Sequence, residues 1–68
     1  MQVGDRMKVR EIIKLIEAAG WYRIKAKSGH RQYKHRAKRG RVTVPGRMSA
    51  DLDPKTEKSI LKQAGLEA

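Results

Sequence analysis

The sequence predicts an α+β fold of order α-β-β-β-α, with a three-stranded antiparallel sheet and two helices on one of its faces. Three observations predict it. Apolar residues recur at helical spacing near both ends, the period falls to two in the middle, and Gly- or Pro-bearing breaks separate the segments. At 68 residues the chain has room for one domain. Met1–Arg6 carry no periodicity and read as a flexible lead-in, with Met7 as an alternative start; residues 7–68 form the domain.

From Lys8 to Ala19, the residues Val9, Ile12, Ile13, Ile16 and Ala19 fall on one face of a helix, and Gly20 supplies the stop. Tyr22–Lys27 then alternates apolar with basic residues. Ser28-Gly29 reads as a two-residue turn, and His30–Arg36 resumes the alternation. A second turn at Ala37–Gly40 leads into a short strand, Arg41–Val44, which Pro45 and Gly46 end. The stretch from Pro45 to Leu52 reads as a mobile loop. Asp53 is placed to cap a last helix with Pro54 at its first position; Glu57, Ile60, Leu61 and Ala64 follow at helical spacing before Gly65.

The turns also predict faces. A two-residue turn at Ser28-Gly29 pairs Lys27 with His30, Lys25 with Gln32, Ile24 with Tyr33 and Arg23 with Lys34. A four-residue second turn pairs Arg36 with Arg41, His35 with Val42 and Tyr33 with Val44. Tyr22, Ile24, Tyr33, Val42 and Val44 then point to the core, and Lys25, Lys27, His30, Lys34, Arg36 and Arg41 point outward.

Charge indicates what the outer face meets. The chain has 17 basic and 7 acidic residues, net +10. Ten of the basic residues lie between Arg23 and Arg47 without one acid among them, and the rest of the chain sums to zero. Such a block repels itself unless a polyanion answers it, so a nucleic-acid backbone is the expected partner. A solvated face kept for solubility is the bland alternative. The block has no helical apolar stripe for a membrane surface, and no apolar run approaches the ~20 residues of a bilayer span. With no cysteine the chain fits a reducing compartment and is expected to be cytoplasmic.

His30 sits after a turn glycine among cations. In its neutral form it is placed to take the proton of a ribose 2′-OH, which then attacks the adjacent phosphorus, while the lysines and arginines neutralise charge on the phosphoryl oxygens. Spacing equally allows a polar residue that only contacts phosphate. His35 falls on the core side and reads as a half-buried packing residue. Two histidines on opposite faces with no third ligand make no metal site. No acid lies between Glu17 and Asp51 for a paired-carboxylate site, and there is no phosphate-cradling glycine motif and no cysteine nucleophile. No cofactor is expected. Ser28 reads as a turn residue. A non-catalytic module coating double-stranded RNA, and a protein docking an acidic partner, remain open alternatives.

Lys8–Gly20 (KVREIIKLIEAAG) with Trp21-Tyr22, the hairpin KSGHRQYKH from Lys27 to His35, the strand Val42-Thr43-Val44-Pro45 and the end SILKQAGL from Ser59 to Leu66 resemble HicA-type toxins. The resemblance covers nearly the whole chain from Met7. It implies a fold similar to the double-stranded-RNA-binding domain, an mRNA endonuclease activity, and a HicB-type antitoxin that covers the active site. By the same resemblance the catalytic residue is His30, which follows the pair Ser28-Gly29. The acid-free basic segment, read on its own, supplies Lys25, Lys27, Arg31, Lys34, Arg36 and Arg41 as the RNA-binding cations. Ser28-Gly29 stands where Gly-Ser is commoner in the family, and Arg36 where a proline often follows the second histidine. A lysine, a bound water or His35 is left to protonate the leaving oxygen.

Overall fold

The computed structural model describes residues 7–25 and 30–66. Helix α1 spans Val9–Ala18, strands β1, β2 and β3 span Tyr22–Ile24, Arg31–Lys34 and Val42–Val44, and helix α2 spans Pro54–Gln63. The order is the predicted one, and the strands pair antiparallel in the order β1-β2-β3. The Met1–Arg6 lead-in and the Ser28-Gly29 turn lie outside the described residues.

Helix α1 forms because its apolar residues recur every three or four positions. Val9, Ile12, Ile13 and Ile16 are all buried, each contributing about 1.5–3 kcal/mol over an exposed position. Its start has no Ser, Thr or Asp to cap it. Instead the first amides of the helix, those of Val9 and Arg10, donate to the carbonyls of Ala50 (2.9 Å) and Met48 (3.1 Å). The Leu52 amide returns a bond to the Met7 carbonyl (2.8 Å), and Lys8 pairs with Asp51 at 2.6 Å. Arg31 Nη1 donates to the Gly46 carbonyl at 2.6 Å. The segment expected to be a mobile loop is therefore tied at several points, and Leu52 is buried in the core.

The registers differ from those expected. Across β1 and β2, Tyr22 stands opposite Lys34, Arg23 opposite Tyr33 and Ile24 opposite Gln32. A one-residue slip moves every β1 side chain to the other face. Tyr22 and Ile24 thus lie on the outer side, and Tyr22 is 47% exposed. The cause is Trp21, which is buried at 2% exposure and fixes the alternation of the strand it leads into. Across β2 and β3, Arg31 stands opposite Val44, Gln32 opposite Thr43 and Tyr33 opposite Val42. That is a slip of two, so Tyr33, Val42 and Val44 keep their place in the core. His35, expected opposite Val42, has left the ladder because its Nδ1 accepts the amides of Ala37 (3.0 Å) and Lys38 (3.3 Å) and folds the chain into a turn.

Helix α2 begins as predicted: Asp53 Oδ2 accepts the Lys55 amide at 3.0 Å and Pro54 takes the first turn. Ile60 and Ala64 join the core formed by α1, Trp21, Tyr33, Val42, Val44 and Leu52. Both helices thus share one face of the sheet.

Tyr33 gives the fold a dependence on alkaline pH. Burial, and then the nearby Glu17 carboxylate, raise its phenol above the ordinary value of 10.0. A group with a raised folded value favours the folded state below its unfolded value, and that contribution disappears as pH climbs through the folded one. Urea midpoints are expected to hold up to about pH 10 and fall above it. In Tyr33→Phe that alkaline fall should be shallower; an identical fall would assign it to other groups.

Candidate active site

His30 is the first described residue before β2 and is exposed. It lines an open groove of about 390 Å³ together with Thr43, Pro45, Lys55, Thr56, Ser59, Ile60 and Gln63. Two anchors set this position. Three residues on, Tyr33 is locked in the core at 1% exposure, and Arg31 is bound to the Gly46 carbonyl. β3 supplies Thr43, whose alternation with buried Val42 and Val44 turns it away from the core.

The opposite wall is α2. Gln63 joins the two walls: its Oε1 accepts the Thr43 amide on the free edge of β3 (3.2 Å), and its Nε2 donates to Ser59 Oγ (3.2 Å). Among the described residues no acidic side chain lines the groove. Among the described residues no three His, Cys, Asp or Glu side chains come together as a metal site.

The expected cations separate into groups. Lys34 stands opposite Tyr22 on the outer face of the sheet. Arg41 joins it there, its Nη1 donating to Gln32 Oε1 at 2.8 Å. Arg36 lies exposed in the β2–β3 connection, and Lys25 lies exposed just after β1. Lys25, Lys34, Arg36 and Arg41 have no acidic partner among the described residues. Arg31 is different: it alternates with the outward residues, is half-buried, and its guanidinium holds Gly46. Lys27 lies outside the described residues.

His35 is built into the fold. Nδ1 accepts two backbone amides, so the ring proton sits on Nε2, which donates to the Ala19 carbonyl at 3.0 Å. The ring also meets Trp21 edge to face, with centroids 5.2 Å apart. Both nitrogens are occupied, which removes His35 as a donor to a leaving oxygen. Gly20 makes room for it. At φ 100°, a side chain there would be strained, and a Cβ would stand 2.7 Å from His35 Nε2.

Sequence reasoning missed the α2 wall, Lys55, Thr56, Ser59 and Gln63. The signal was present as a polar stripe at four-residue spacing (55, 59, 63) beside the apolar Ile60 and Ala64. It also placed Tyr22 in the core, whereas the outer face carries that aromatic ring beside Lys34.

The fold and this site define a small α+β domain with a histidine at an open groove, without an acid among its described lining, and a basic outer face. Residues 9–66, from the first residue of α1 to just past α2, match the family described as the HicA toxin of bacterial toxin-antitoxin. The chain belongs to the HicA toxin family and is the toxin of a toxin–antitoxin pair. No match emerges from a comparison with individual curated proteins. Among the described residues no helix is long and apolar enough to cross a membrane.

Proposed function

We propose that the protein is a metal-independent endoribonuclease that cleaves mRNA, with His30 as general base. The carrying observation is the exposed imidazole in a groove whose described lining holds an ammonium and hydroxyls but no carboxylate. In this reading His30 takes the proton of a ribose 2′-OH. The O2′–P bond forms as the P–O5′ bond breaks, and solvent protonates the departing O5′. The products are a 2′,3′-cyclic phosphate and a 5′-hydroxyl. DNA lacks the nucleophile and is not cut.

Lys25, Lys27, Lys34, Arg36 and Arg41 supply the salt-dependent attraction to the backbone. Arg31 contributes charge but is fixed to Gly46, so its role is to hold the strand behind His30. The pair Ser28-Gly29, which precedes His30 in the chain, is assigned the role of positioning it. Tyr22 on the outer face supports an unpaired strand, because a ring can stack on a splayed base and gains nothing from a closed duplex. The toxin works in the cytoplasm, and its antitoxin is a HicB-type protein that covers the groove.

Mass spectrometry of the cut ends tests the chemistry. Cleavage of a short single-stranded RNA in excess EDTA should leave 2′,3′-cyclic phosphate and 5′-hydroxyl termini. Loss of cleavage in EDTA, restored by a divalent ion, would rule the mechanism out.

A further inference from the structure

Helix α2 faces the groove with residues that the fold does not fully use. Gln63 is occupied, its carboxamide oxygen by the Thr43 amide and its nitrogen by Ser59 Oγ. Ser59 accepts that bond through its oxygen, so its own hydroxyl hydrogen remains to donate. Two acids lie two residues from Lys55 in sequence: Asp53 turns its carboxylate onto the Lys55 backbone amide to cap the helix, and Glu57 forms no ion pair with Lys55. The Lys55 ammonium has no acidic partner among the described residues, and its side chain lines the same groove as His30. An ammonium and two hydroxyls in a groove with no acid among its described lining form a donor set for an anionic, oxygen-rich ligand. The volume, about 390 Å³, lies within the range of small-molecule sites and suits one nucleotide rather than a duplex.

We propose that Lys55 contacts the phosphodiester beside His30 and neutralises the charge that builds on its non-bridging oxygens during cleavage. Thr56 and Ser59 hydrogen-bond the same nucleotide. The inference rests on the RNA-cleavage reading of His30 and adds a second side to the site. Lys55 and the hairpin cations differ in what they do. The outer-face cations attract the strand wherever it lies, whereas Lys55 acts at the reacting phosphate. Its loss should therefore appear in kcat rather than KM.

The test measures steady-state cleavage of a short, end-labelled single-stranded RNA by the wild type, Lys55→Ala, Lys55→Arg, Lys58→Ala and His30→Ala. Lys58 is exposed on the same helix but does not line the groove, so Lys58→Ala removes the same charge elsewhere. Alanine is a strong helix former at an exposed position, and far-ultraviolet circular dichroism checks that each variant folds. Lys55→Ala should lower kcat about a hundredfold with KM changing far less. Lys55→Arg should recover most of the rate, because the positive charge remains, and Lys58→Ala should stay near wild type. Wild-type kcat in Lys55→Ala, an equal loss in Lys58→Ala, or no recovery in Lys55→Arg would each overturn the assignment. His30→Ala separates the two ideas. An active His30→Ala sinks the general-base reading, whereas an inactive His30→Ala beside a fully active Lys55→Ala sinks only the role of Lys55.

Discussion

His30→Ala is expected to lower RNA cleavage by about 10²- to 10⁴-fold, the usual worth of a positioned general base. Binding should change little. In the proposed reading affinity comes from phosphate contacts spread over Lys25, Lys34, Arg36 and Arg41, and one imidazole adds little to that sum. Stability should also hold, since His30 is exposed and is not part of the buried core. The signature is thus a folded protein that retains salt-dependent RNA binding but no longer cuts or arrests growth when expressed. His30→Gln extends the test: it keeps a hydrogen-bonding side chain that cannot take a proton, and should be as inactive as alanine. Cleavage by either variant at the wild-type rate, in preparations free of host nuclease, would refute the assignment. Loss of RNA binding in step with cleavage would instead make His30 a contact residue, the alternative that spacing alone left open.

The order of elements was legible because it depends on local signals. Helical spacing in Val9–Ile16, the Asp53-Pro54 start and the Pro45-Gly46 stop each act within a few residues, and each appears where expected. Register was less legible, since it depends on which long-range contact wins. Ser28-Gly29 suggested a two-residue loop, but the burial of Trp21 outweighs the preference of a turn and turns Tyr22 and Ile24 outward. His35 shows the same competition: its ring bonds to Ala19, Ala37 and Lys38 draw it off the strand that its sequence continues. The α2 wall of the groove was hidden for a related reason. Lys55, Thr56 and Ser59 read as an ordinary solvated helix face until the fold sets them beside His30, 25 or more positions away in the chain.

Trp21→Ala is expected to produce the largest loss of stability, about 3–5 kcal/mol. Domains of this length hold only about 3–10 kcal/mol in total, so much of the protein should be unfolded near body temperature. The size follows from what the ring joins. It is buried at 2% exposure, its Nε1 donates to the Ala64 carbonyl at the end of α2 (3.2 Å), and its ring meets His35 in a T-shaped contact. His35 in turn holds the end of α1 through Ala19 and the β2–β3 turn through Ala37 and Lys38. One aromatic pair therefore links both helices to the sheet. Trp21→Phe separates packing from hydrogen bonding, because it keeps most of the buried ring but gives up the Nε1 donor. The Ala64 carbonyl still accepts from Lys38 Nζ at 3.2 Å, so this variant should lose only about 1–2 kcal/mol. His35→Ala should lose a similar or larger amount, and the double variant less than the two losses added together, as side chains in contact require. Urea denaturation followed by circular dichroism gives all four values. A Trp21→Ala midpoint at the wild-type value would remove Trp21 as the link, and strictly additive losses in the double variant would break its coupling to His35.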